Sequence, residues 1–211
     1  MSTLLSIITV VKDDPDGFEE TLQSLNISAN EALEQCEWIV IDSSHDPGEI
    51  GTAAATAPTR TKVEWIPPSG VFPAMNQGLR LADGEYVYFL NAGDRLFNPE
   101  TLGVITDALK SHRPVWAYGQ VAFERPNGGH VLPIPFVYED EERALFARGR
   151  FPPHQGTVIR TSILRDIGGF DEQYQVAADY AVALKASRLA RPVEMSETIA
   201  LFAPAGLSQS K

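Results

Sequence analysis

The sequence predicts an α/β protein: a mainly parallel sheet flanked by helices, with a small antiparallel addition in its second half. Three observations predict it. The first third of the chain alternates short β-branched runs with apolar residues at helical spacing, the pattern of βαβ units. The first of those runs, Leu5–Val11, is almost continuously apolar, as in a strand covered on both faces. After residue 112 the pattern changes: Val115–Phe123 alternates as a half-buried strand, and Pro126-Asn127-Gly128-Gly129 signals a hairpin turn before a return run, Val131–Ile134.

Each element has its own signal. Asp13-Asp14-Pro15-Asp16-Gly17 ends the first strand, and Phe18, Leu22 and Leu25 then recur on one helical face. Trp38–Ile41 is a second strand, closed by Asp42-Ser43-Ser44-His45-Asp46-Pro47; an Ala-rich helix over Ile50–Ala57 and a short strand, Val63–Ile66, follow. Pro67-Pro68-Ser69-Gly70 is a turn, after which Ala74, Leu79 and Ala82 mark a helix that Asp83-Gly84 ends. Tyr86–Leu90 is a fourth strand stopped by Asn91-Ala92-Gly93-Asp94, and Pro99–Leu109 is a helix. Beyond the hairpin come a short acidic helix (Glu139–Phe146), a loop (Arg148–Pro153), a strand (Thr157–Arg160) and a helix (Ser162–Ile167). The turn Gly168-Gly169, a helix over Asp179–Leu189 and a last strand over Val193–Phe202 complete the chain.

With 211 residues, 44% hydrophobic and 21% charged, the chain is expected to form a single domain over 1–211, with halves 1–111 and 112–211. Its 17 lysines and arginines against 28 aspartates and glutamates give a net charge of −11, and no strongly basic segment offsets it. Nucleic acid is therefore not expected as a partner, and anionic membrane surfaces are disfavoured unless folding gathers a local basic patch. The lone Cys36 allows no internal disulfide or zinc framework and reads as a small buried apolar residue. No run approaches the ~18 apolar residues needed to cross a bilayer, and the start lacks a basic leader region, so the expected location is cytoplasmic.

In open α/β sheets, ligands bind beyond the carboxyl ends of the parallel strands. Three such ends are polar here: Thr9–Asp14, Asp42–Asp46 and Asn91–Asp94. Asn91 and Asp94 offer oxygen ligands for a divalent ion, or else form a tight turn. Asp179 is either an N-cap of its helix, ionised at neutral pH, or a base that takes a proton from a hydroxyl. His154, after two prolines, is a structural hydrogen-bonder or a ligand. Arg148 and Arg150 are surface arginines or a diphosphate clamp, and Phe136, Val137 and Tyr138 are core or a partner patch. Phosphate-loop, dinucleotide-fold and GxSxG signatures are absent from the sequence.

Four blocks, in order, resemble the inverting family-2 glycosyltransferases of the GT-A fold, in particular small bacterial enzymes of capsule, colanic-acid and lipopolysaccharide synthesis: LSIITVVKDDPDGFEETLQSL, WIVIDSSHD, GVFPAMNQGLRLADGEYVYFLNAGDRL and FPPHQGTVIRTSILRDIGGFDEQYQVAADYAVALK. The resemblance implies a nucleotide-diphosphate sugar donor, a sugar or lipid-linked sugar acceptor, inversion at the anomeric carbon and a Mn²⁺ or Mg²⁺ cofactor. It implies that Thr9, Val10 and Asp42 line the nucleoside site, that Asn76, Asn91 and His154 serve the donor site, that Asp94 with Asn91 holds the metal, and that Asp179 is the base. The halves would then serve donor and acceptor respectively, with peripheral contact to membrane-bound partners.

The chain departs from the family pattern at Asn91, where relatives carry an acid, and at Ser43, Ser44, Pro73, Ala178 and Ala181. These departures leave a non-catalytic nucleotide-sugar-binding or scaffold subunit as the alternative. A sugar-1-phosphate nucleotidylyltransferase is the other alternative, disfavoured by Lys12-Asp13-Asp14-Pro15 where those enzymes carry a Gly-rich basic loop.

Overall fold

A computed structural model describes residues 3–28, 31–123, 132–134, 136–138, 149, 151–174 and 176–202. Strand β1 (Leu5–Val11) leads into helix α1 (Pro15–Ile27), β2 (Cys36–Asp42) into α2 (Pro47–Ala54), and β3 (Arg60–Trp65) into α3 (Val71–Leu81). Next come β4 (Tyr86–Phe89), β5 (Arg95–Leu96), α4 (Thr101–His112), β6 (Trp116–Phe123) and β7 (Leu132–Ile134). The chain continues through β8 (Thr157–Arg160), α5 (Thr161–Asp166), α6 (Ala178–Leu189) and β9 (Val193–Phe202).

All these strands join one sheet of order β3-β2-β1-β4-β8-β6-β9-β5, with β7 paired to β6. The strands β3, β2, β1 and β4 run parallel, β8 is antiparallel to both β4 and β6, and β9 is parallel to β6. This is the mixed, mainly parallel sheet that the strand and helix spacing predicts.

Because side chains alternate across a strand, β1 feeds two cores. Leu5, Ile7 and Val11 meet α1 and α4, where Phe18 stacks on Trp38 at 5.2 Å between centroids. Ile8 and Val10 meet α3 and α6 through Met75, Leu79, Val182 and Ala186. A fully buried side chain of this kind contributes roughly 1.5–3 kcal/mol. Helix α3 lies so close to β1 that a Cβ at Gly78 would run into Ile8 Cγ2. At the amino ends of the parallel strands, the fully buried Glu37 carboxylate accepts from Ser6 Oγ (2.7 Å) and Asp83 N (2.7 Å) and pairs with Arg60 and Lys62. The opposite end of the sheet is left for loops.

Three differences from the sequence reading have local causes. Arg95–Leu96 forms a strand where only a turn is expected; it is too short for periodicity to register and exists through pairing with Leu201 and Ala200 of β9. Helix α2 starts at Pro47 rather than Ile50, because Asp46 caps it by accepting from Gly48 N (3.2 Å). Helix α4 runs past Leu109 to His112 and ends where Arg113 turns left-handed, at φ 46°. Phe136 and Tyr138 are core and Val137 is exposed, and Cys36 is buried with its thiol pKa pushed up to about 12 by desolvation. The turn 126–129, the helix 139–146, Arg148 and Arg150 lie outside the described residues.

Candidate functional site

The carboxyl ends of β1, β2 and β4 are adjacent, and their loops are tied together. Ala92 N donates to Val10 O (3.1 Å), Gly93 N to Gly17 O (2.8 Å) and Ser43 N to Val11 O (2.9 Å). Asp13 N donates to Ser44 Oγ (2.9 Å), while the Asp13 carboxylate accepts from His45 N (2.8 Å) and meets its ring. Asp13 adopts a left-handed φ of 52° to do so. Because β8 is antiparallel to β4, the short turn His154–Gly156 that precedes it arrives at this same end, where Tyr88 Oη donates to Gln155 O (2.8 Å).

The loop 91–94 is clamped from α1 by Thr21. Its hydroxyl accepts from Gly93 N (3.1 Å) and reaches Asp94 O at 2.8 Å, with Asn91 O at 3.2 Å. Residue roles built from motifs do not reveal Thr21; the available signal is a hydroxyl on the apolar face 18-21-22-25 of an otherwise ordinary helix. Thr21→Val removes these bonds at nearly constant volume. Leaving buried main-chain groups unpaired is expected to cost about 1–3 kcal/mol, read as a lower denaturant midpoint, with Thr21→Ser restoring most of it. An unchanged midpoint would show that the clamp contributes nothing.

Five side chains then converge. Gln155 Nε2 donates to Asp94 Oδ2 (3.2 Å), and Asp94 is 3% exposed. His154 Nε2 lies 3.3 Å from Asn91 Nδ2, and His154 Nδ1 lies 3.5 Å from Asp179 Oδ2. Asp179 is not the N-cap that its position suggests. Ala177 occupies that place at φ 70° with no side-chain cap, and Asp179 sits one position inside the helix, its Oδ1 accepting from Tyr180 N (2.9 Å). Burial pushes the Asp179 pKa up, but the His154 contact and main-chain N–H groups outweigh it and hold the carboxyl below its ordinary value.

The remaining candidates fall into two groups. Asp42 stands at the end of β2, 1% exposed; its Oδ1 accepts from Ser44 N (2.8 Å) and its Oδ2 is buried with no partner among the described residues. Thr9 and Asn76 are occupied within the protein instead. The Thr9 hydroxyl donates to Leu90 O (2.7 Å) and accepts from Trp38 Nε1 (2.8 Å) with no exposed surface, so it ties β1 to the end of β4. Val10 packs in the core beside Ile8, and its carbonyl holds Ala92. The Asn76 amide donates to Phe170 O (2.8 Å) and Glu172 Oε1 (2.9 Å) and accepts from Phe170 N (2.9 Å), so both of its N–H groups are engaged within the protein. It fastens α3 to the turn ahead of α6, where Gly169 is at φ 66° and a Cβ would meet Asn76 Oδ1 at 2.5 Å.

Among the described residues, no three His, Cys, Asp or Glu side chains cluster as a metal cage. Asp94 and Asn91 nevertheless fit a hard divalent ion completed by waters and substrate phosphates. The observation behind the fit is Asn91 Oδ1, a buried oxygen with no hydrogen-bond partner among the described residues, three positions before the buried Asp94.

Residues 6–168 match the family model described as glycosyl transferase family 2. An uncharacterized glycosyltransferase of Mycobacterium tuberculosis is 29% identical over 213 aligned residues, covering 98% of this chain and 78% of that protein. A PGL/p-HBAD biosynthesis glycosyltransferase of the same species is 28% identical over 163 residues, 74% of this chain and 60% of its own length. Among solved structures, S. aureus TarS 1–349 in complex with UDP-GlcNAc superposes with a TM-score of 0.78 at 21% identity, over 99% of this chain and 62% of that one. The mannosyltransferase PcManGT from Pyrobaculum calidifontis, in complex with GDP-Man and Mn²⁺, superposes at 0.69 and 20% identity, over 96% and 57%. The chain thus spans about three fifths of these solved chains, and the likeness to them is one of fold, the GT-A fold.

Proposed function

The chain belongs to glycosyl transferase family 2, and from that premise we propose that it moves a sugar from a nucleoside-diphosphate donor to a hydroxyl of a sugar or lipid-linked sugar acceptor, with inversion. The observation that carries this reading is the convergence of Asn91, Asp94, Gln155, His154 and Asp179 at the carboxyl end of β4. The proposal treats residues 1–211 as one unit, with 1–111 serving the donor and 112–211 the acceptor, in bacterial surface polysaccharide synthesis inside the cell. Contact with membrane-bound partners would be peripheral; among the described residues no helix is long and apolar enough to cross a membrane.

Asp42, through its free Oδ2, is assigned to the nucleoside base. Asp94 and Asn91 would hold Mn²⁺ or Mg²⁺, which supplies positive charge against the leaving diphosphate. Asp179, ionised at neutral pH, takes the acceptor hydroxyl proton as the new glycosidic C–O bond forms on the face opposite the leaving group. The bond to the diphosphate breaks, the nucleoside diphosphate departs, and a single displacement inverts the anomeric centre. Gln155 and Thr21 keep the donor loop in place, so orientation is set before reaction.

A thermal-shift screen of UDP-, GDP- and dTDP-sugars, each with Mn²⁺ and with EDTA, tests the donor assignment. Donor at about 100 times its Kd stabilises the native state by about 2.7 kcal/mol, a shift of several degrees for a chain of this size. The expected result is such a shift for one nucleotide class, reduced by EDTA. No shift with any donor, in a protein that melts cooperatively, overturns the assignment in favour of a scaffold subunit.

A further inference from the structure

His154 is where the two ends of this site touch. Its Nε2 faces Asn91 Nδ2 at 3.3 Å, and its Nδ1 faces Asp179 Oδ2 at 3.5 Å. The backbone around the ring is held on both sides: Gly156 N and Thr157 Oγ1 both donate to Pro153 O (2.9 and 3.0 Å), and Tyr88 Oη donates to Gln155 O (2.8 Å). An amide N–H can donate to an imidazole nitrogen only where that nitrogen offers a lone pair. With Asn91 presenting its Nδ2, Nε2 is the acceptor and the ring proton stands on Nδ1, the nitrogen 3.5 Å from Asp179 Oδ2. The other Asp179 oxygen accepts from Tyr180 N (2.9 Å), so the carboxylate is addressed from both sides. Asn91 Oδ1, on the same amide, is buried and has no hydrogen-bond partner among the described residues.

We propose that His154 is a positioning residue: held at Nε2 by Asn91, it orients the Asp179 carboxylate from Nδ1 and links the donor loop to the base. The inference rests on the reading of Asp179 as the base. It moves His154 from the donor site, where the resemblance puts it, to the acceptor step.

Two near-isosteric variants separate the ends of the ring. The amide of His154→Asn sits near the position of Nδ1 and can still donate toward Asp179, whereas that of His154→Gln sits near Nε2 and cannot. Loss of a group that orients a reacting residue is expected to lower kcat about 10–100-fold. That loss is expected for His154→Gln with donor KM within about threefold of the parent, and His154→Asn is expected to retain at least five times more kcat than His154→Gln. Equal kcat in the two variants, or losses expressed as a raised donor KM, would overturn the proposal. Should His154→Gln not fold, His154→Ala assayed with free imidazole replaces it: restored kcat supports the role and no restoration overturns it. Asp179→Asn run in parallel keeps the two readings apart. If it retains kcat, the base assignment fails; if it loses kcat while His154→Gln does not, only the positioning role fails.

Discussion

Asp179→Asn is expected to lower transfer by two to four orders of magnitude while leaving donor affinity within a few-fold of the parent. The variant keeps the size of the side chain and an oxygen for Tyr180 N, so the first turn of α6 is preserved. What it removes is the capacity to accept a proton. An acceptor hydroxyl attacks an anomeric carbon efficiently only if its proton leaves as the bond forms, and general bases contribute typically 10²–10⁴-fold. Single-turnover rates with donor saturating, beside the donor-induced thermal shift, separate chemistry from binding. The pH profile follows from the same environment. Burial works against the Asp179 charge, but the His154 contact and the main-chain N–H groups outweigh it and hold the carboxyl below the ordinary range. The acid limb of kcat/KM that belongs to Asp179 is therefore expected below the pH of an ordinary aspartate, with the base fully ionised at neutral pH. Full transfer activity in Asp179→Asn would remove Asp179 from the mechanism.

Asp94→Asn is expected to abolish the metal-dependent part of donor binding and to reduce transfer by two to three orders of magnitude. The amide retains an oxygen for Gln155 Nε2, so the contact at Asp94 Oδ2 survives and folding is kept out of the result. It replaces an anionic ligand with a neutral one. With Asn91 already neutral, no charged ligand would remain in the pair assigned to the ion, and a hard divalent cation gains most from anionic oxygen. Mn²⁺ titration followed by paramagnetic resonance, with and without nucleoside diphosphate, reads this directly. In the parent, Mn²⁺ is expected to bind more tightly once the diphosphate joins the ligand set; in Asp94→Asn that gain disappears. Unaltered Mn²⁺ binding in the variant, or transfer insensitive to EDTA, would show that Asp94 holds no metal.

Much of the fold is legible in the residues alone. The run Leu5–Val11 appears as a strand over those same residues, because a parallel strand buried on both faces requires a continuous apolar segment. Phe18, Leu22 and Leu25 recur at helical spacing because α1 buries one stripe. The polar loops after β1, β2 and β4 lie together, since parallel strands all present their carboxyl ends to one side. These are short-range consequences of composition and period.

What the sequence could not decide is which polar group faces which. Asn76 and Thr9 stand in motif-like positions, and their N–H and O–H donors are directed at Phe170, Glu172 and Leu90. Thr21 and Gln155 lie in the resembling blocks with no role assigned to them, yet they hold the loop 91–94, and their partners are 70 and 61 or more residues away along the chain. His154 is a lone histidine until the antiparallel pairing of β8 with β4 brings it between Asn91 and Asp179. Local sequence determines period, caps and turns, because those depend on neighbours within a few residues. The partnering of hydrogen-bond groups depends on strand order and register, and only the tertiary structure fixes those.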